Sequence, residues 1–134
     1  MGVRPIKLTL ITVLVLAAIP STTGATAYNF DHFECSKDTK YCAAVLGNSH
    51  DPVLKLNANT NRKVVGCLRT SEAHWLCRSF KPVRTEGAPS DGASAYTVKR
   101  HLRSVYPYTG EGEYKMVWKR DDKKLMPGLK FWVD

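Results

Sequence analysis

The sequence predicts a small α+β domain, rich in β-structure and held by two disulfides, on three observations. Short apolar runs of strand length recur at close spacing between separators that carry Gly, Asn and Ser. One later segment shows helical spacing instead. Four cysteines, an even number, follow a leader of the kind that directs export.

The leader comes first in the chain. Arg4 and Lys7 precede the apolar run Leu8 to Ile19, and Pro20 and small residues lead to Ala25-Thr26-Ala27. That order of charge, apolar run and small residues is a secretory signal peptide, expected to span residues 1–27 with cleavage after Ala27 or Ala25. A membrane anchor is disfavoured, because the run falls short of the ~20 apolar residues a spanning helix needs. Residues 28–134, which number 134 − 27 = 107, then form the expected single secreted domain. All 12 acidic residues and 18 of the 20 basic ones lie in it, giving 18 − 12 = +6. Such a charge favours anionic partners such as nucleic acid, acidic polysaccharide or anionic lipid, although the signs are interspersed as on an ordinary solvated surface.

From Tyr28 to Asp38 aromatic and polar residues mix, as in an arm laid on the core. Lys40 to Leu46, Pro52 to Leu56, Lys63 to Leu68 and His74 to Phe80 are each of strand length, and their turn-forming separators predict a four-strand antiparallel meander. Cys35, Cys42, Cys67 and Cys77 fall in this half. Their spacings of seven and ten residues lack the close pair of a zinc site, so two disulfides are expected and no metal. Three pairings are open; the nested one, Cys35 with Cys77 and Cys42 with Cys67, is preferred because it ties the arm to the fourth strand.

Glu86 to Ser94 is a polar Gly/Pro/Ser loop. After it Ala95, Val98, Leu102 and Val105 follow at spacings of three, four and three, which predicts a helix from about Ala95 to Tyr106, capped by Ser94 and stopped by Pro107. Its polar face would carry Lys99, Arg100 and Arg103. Tyr114, Met116 and Trp118 alternate with Lys115, Val117 and Lys119, and Leu129, Phe131 and Val133 alternate with Lys130, Trp132 and Asp134. Two half-buried strands in a closing hairpin are expected there, for about six antiparallel strands and one helix in all. Trp132 faces away from its apolar neighbours, which makes it a candidate anchor for a partner.

Little in the chain points to catalysis. His32, His50, His74 and His101 lack the i, i+4 spacing of a helical metal pair, and neither a Gly-x-Ser-x-Gly nor a phosphate-binding Gly-rich motif occurs. The best enzymatic set is His101 as acid or base, Arg100 or Arg103 on a phosphate and Glu111 or Glu113 as partner, the toolkit of RNA cleavage. Lys and aromatic residues interleaved at Tyr114 to Arg120 and Lys130 to Trp132 would suit base stacking, but ordinary amphipathic strands look the same. No catalytic residue and no cofactor are assigned. The binding candidates are Lys99, Arg100, Arg103 and Trp132.

With its leader, basic domain and paired cysteines, the chain resembles the small secreted effectors of plant-pathogenic fungi. Phe33-Glu34-Cys35 is similar to the aromatic-x-Cys motif that follows the signal peptide in powdery mildew and rust effectors. The resemblance implies a non-catalytic virulence factor that binds a host molecule, a protein foremost, and modulates plant immunity outside or inside host cells. Nucleic acid or an anionic surface is the alternative partner, and a monomer is expected. Many mildew effectors with the motif have a ribonuclease-like fold, which is not carried over, because here no late cysteine can pair with Cys35 and the expected helix follows four strands. A ribonuclease-like RNA binder or RNA-cleaving enzyme is one alternative function. A cationic antimicrobial protein or toxin is the other.

Overall fold

A computed structural model describes residues 32–89, 92 and 94–134. The leader expected over residues 1–27 lies outside these. Among the described residues there are ten strands in two antiparallel sheets and one short helix, so strands exceed the six expected. None of the described helices is long and apolar enough to cross a membrane.

The first sheet contains β1 (His32–Cys35), β2 (Tyr41–Leu46), β3 (Val53–Ala58), β6 (Val83–Arg84) and β7 (Tyr96–His101), in the order β1-β2-β3-β7-β6. The second contains β4 (Val64–Arg69), β5 (Trp75–Phe80), β8 (Gly112–Arg120) and β10 (Leu129–Val133), in the order β10-β8-β4-β5, with the two-residue β9 (Lys123–Lys124) against β8. All four runs of the expected meander are strands, yet β3 and β4 are not neighbours. The free edge of β3 takes β7 and that of β4 takes β8. The two hairpins therefore belong to different sheets, and one apolar cluster draws on both: Tyr41, Val45, Leu54, Leu56 and Val98 from one, Val64, Leu68, Tyr114, Met116, Trp118 and Phe131 from the other.

The closing hairpin forms as the alternation predicts, with β8 against β10 in the register Leu129↔Met116 to Val133↔Gly112. Of the arm expected over Tyr28 to Asp38, residues 28–31 lie outside the described residues; the described part begins with β1, paired with β2, and Phe33 is 63% exposed.

Two further expectations are corrected. The helix over 95–106 shrinks to α1 (Leu102–Val105), whose N-cap residue is His101 rather than Ser94 and whose Arg103 amide donates to the Asp51 carboxylate at 3.1 Å, and Tyr96 to His101 form a strand. Buried Ala95, Val98 and Leu102 do have helical spacing, but Val98 faces inward from β7 and Leu102 from the single helical turn that follows. Pairing of six residues with β3 wins over an isolated three-turn helix, which is marginal without tertiary support. The disulfides are also local rather than nested, Cys35–Cys42 and Cys67–Cys77. Each joins residues directly opposite on adjacent strands, with Cα atoms 4.0 Å apart, so hairpin register had already chosen the partners.

Buried Tyr106, just after α1, locks the two sheets together. Its hydroxyl donates to the Gly66 carbonyl at 2.6 Å, and burial pushes its ionisation well above the ordinary tyrosine range. Only glycine allows this approach. A Cβ at position 66 would lie 2.5 Å from Met116 Cε, 3.0 Å from the Tyr106 hydroxyl and 3.1 Å from the Phe80 ring.

Candidate functional site

Side chains alternate along each strand, so the outer face of the second sheet follows from its register. One row crosses all four strands: Trp75 on β5, Arg69 on β4, Lys115 on β8 and Lys130 on β10. The next holds the Cys67–Cys77 bridge and Val117, and the third holds Ser79, Val65, Lys119 and Lys124. On the other side of the first row, Trp132 stands opposite Glu113.

This face therefore gathers two exposed tryptophans, Trp75 at 50% and Trp132 at 40%, with five cations and one carboxylate. That carboxylate, Glu113, accepts from the Arg69 guanidinium at 3.4 Å. The four lysines are left as surplus charge. A groove of about 330 Å³ runs between Trp75, the disulfide, Val117 and Lys115, Lys119 and Lys124, and a second hollow of about 360 Å³ lies beside Trp132, lined by His32, Glu113, Lys130 and Phe131.

Local structure fixes both anchors. Trp75 leaves a tight turn in which the Thr70 amide donates to the His74 carbonyl, the Ala73 amide donates to the Thr70 carbonyl, and Ala73 takes a left-handed conformation at φ 64°. Trp132 is turned outward because Leu129, Phe131 and Val133 are buried. At Gly128 an added Cβ would meet Lys115 Cε at 2.5 Å and Val117 Cγ2 at 3.2 Å, so the missing side chain gives the apolar stem of Lys115 room. Three strand spacings of ~4.8 Å and two residues of rise put the tryptophan Cα atoms roughly 16 Å apart. Flat rings and ammonium donors at that separation suit an anionic partner with apolar faces. Lysine only donates, so a partner rich in acceptors is favoured.

Of the four binding candidates, Trp132 alone belongs to this face. Lys99 lies on the outer face of the first sheet, opposite Lys55. Arg100 stacks over the Phe80 ring at 5.7 Å, spanning from the first sheet to the second. Arg103 donates to the His50 carbonyl at 2.8 Å and the Asp134 carbonyl at 3.3 Å and packs on the Tyr108 ring, so it clamps the end of the chain. Of the RNA-cleaving set, His101 lies on the first sheet with Nδ1 3.5 Å from Asp51 Oδ2, and Glu113 lies on the second, where it accepts from Arg69.

Trp75 and the contributions of Lys124 and Arg69 escaped sequence reasoning. The alternation Trp75, Cys77, Ser79 against Leu76, Arg78, Phe80 was the available signal, but it does not say which strands lie beside it. Of the interleaved aromatics, Tyr114, Trp118 and Phe131 are buried, and the lysines between them point outward. Comparison with protein-family models, with curated proteins and with solved structures returns no match.

Proposed function

We propose that the chain is an exported, effector-type protein that binds a host molecule and modulates plant immunity without turnover, and that the lysine–tryptophan face of the second sheet is its contact surface. One observation carries the choice of surface: Trp75 and Trp132 are exposed on one sheet face among cations that outnumber carboxylates five to one. Exposed tryptophans in shallow grooves are typical anchors of protein interfaces, and surplus lysine speeds encounter with an acidic partner. Two disulfides support a working place outside the reducing cytosol. The effector role itself rests on the resemblance of the leader, the basic domain and Phe33-Glu34-Cys35.

The test is suppression of an elicitor-triggered oxidative burst in leaf tissue by the purified oxidised protein. Suppression lost in Trp75→Ala/Trp132→Ala, with an unchanged melting temperature, supports the reading. No effect of the wild type on the burst, or equal effect of the variant, refutes it.

The same face favours a second reading, binding of single-stranded RNA, since aromatic rings flanked by lysines stack bases and hold phosphates. Affinity for a single-stranded oligonucleotide that falls steeply with salt, and drops further in the double tryptophan variant, would favour RNA over an acidic protein.

A further inference from the structure

A different cluster lies at one end of the two sheets. The β3–β4 connection brings Arg62 and Lys63, the β5–β6 connection brings Lys81, and the end of β8 brings Arg120 and Asp121, all lining a crevice of about 430 Å³. Four cations meet one carboxylate, a local excess of 4 − 1 = +3. Among the described residues, Arg62, Lys63 and Lys81 have no ion-pair partner.

Arg120 differs from the others in being fixed. Its side chain is 22% exposed, and one terminal nitrogen donates to the hydroxyl of Tyr41, a core residue, at 2.7 Å. The Asp121 carboxylate, itself 81% exposed, is 3.9 Å from Nε, too far for a hydrogen bond. A guanidinium has five N–H donors, so the Tyr41 contact orients the group and leaves donors for a ligand. The Asp121-Asp122 turn takes left-handed φ values of 53° and 63° and ends β8 immediately after Arg120.

We infer that this crevice is a binding site for a tetrahedral oxyanion, a phosphate or sulfate group, with Arg120 as its oriented donor and Arg62, Lys63 and Lys81 as surrounding charge. Planar forked donors match such oxyanions, and two basic connections together with the end of β8 hold the charge that the anion neutralises. The site is separate from the lysine–tryptophan groove, and neither proposal depends on the other.

Titration of the purified oxidised protein with inorganic phosphate and with sulfate, followed by amide NMR against chloride at matched ionic strength, tests it. Saturable shifts at Arg62, Lys63, Lys81 and Arg120, absent with chloride, are expected. Arg120→Lys should weaken binding about tenfold by removing the fork while keeping the charge, and Lys81→Gln about threefold. Tyr41→Phe, which keeps every cation and frees the guanidinium, should weaken it as well. Methyl phosphate and methyl sulfate, compared with the free ions, distinguish an esterified group from a free ion as the better ligand. Shifts equal to those with chloride, or phosphate affinity unchanged in Arg120→Lys, would overturn the assignment.

Discussion

The outer faces of the two sheets share a plan and differ in chemistry. Each has a disulfide between directly opposed residues of neighbouring strands, Cys35–Cys42 on the first and Cys67–Cys77 on the second. On the first, the Thr85 and Thr97 hydroxyls are 2.7 Å apart and Thr97 donates to Asn57 at 3.1 Å, the lysines are two, Lys55 opposite Lys99, and the rest includes Phe33, Ala44, Leu46 and Val53. The second leaves four lysines without a carboxylate beyond the one that Arg69 holds, and frames them with two indole rings. Equal architecture thus gives unequal reactivity toward partners. Outward alternate residues, which the core does not constrain, make the difference.

The sharpest contrast between the two faces is expected in binding. Trp75→Ala and Trp132→Ala should each cost about 2 kcal/mol, or about thirtyfold, in affinity for the partner, as truncation of an interface anchor does. Lys55→Gln/Lys99→Gln on the first sheet should leave affinity unchanged, and an equal loss there would erase the distinction between the faces. Calorimetric titration decides between them.

Removal of either disulfide by paired Cys→Ala substitution should lower stability by about 2 to 3 kcal/mol, because loops of seven and ten residues release similar chain entropy. In denaturant unfolding the two losses should be nearly equal. The nested pairing, with its longer loops, would have stabilised somewhat more.

Next comes the junction between the sheets. Gly66→Ala should cost about 1 to 3 kcal/mol, since Phe80 and Tyr106 must shift to admit the methyl group. Tyr106→Phe should cost about 1 to 2 kcal/mol by leaving the buried Gly66 carbonyl unpaired. The hydroxyl also makes stability depend on pH. Its ionisation in the folded protein is raised above that in the unfolded chain, so its contribution is complete below the ordinary tyrosine pKa of about 10 and is lost as pH rises beyond it. Melting curves above that pH should fall less steeply for Tyr106→Phe than for the wild type.

The arginines show why the binding candidates were only partly legible. Arg100 and Arg103 look like free charge in the sequence, yet one covers an aromatic ring of the other sheet and the other holds the backbone of His50 and Asp134. Trp132 was legible because its inward neighbours alternate strictly. Trp75 was not, since its importance comes from strands β8 and β10, which follow it by some forty residues or more.

Local pattern by itself determined where most strands run, that Leu129, Phe131 and Val133 are buried, and that β8 and β10 close as a hairpin, because period-two alternation and short turns act over a few residues. Tertiary structure alone decided that β3 and β4 part into different sheets and that Ala95 to Tyr106 yields a strand and a single helical turn. Each of these depends on which strand edge is occupied by a segment distant in sequence. Pairing energy of that kind is shared between two stretches of chain and is written in neither alone.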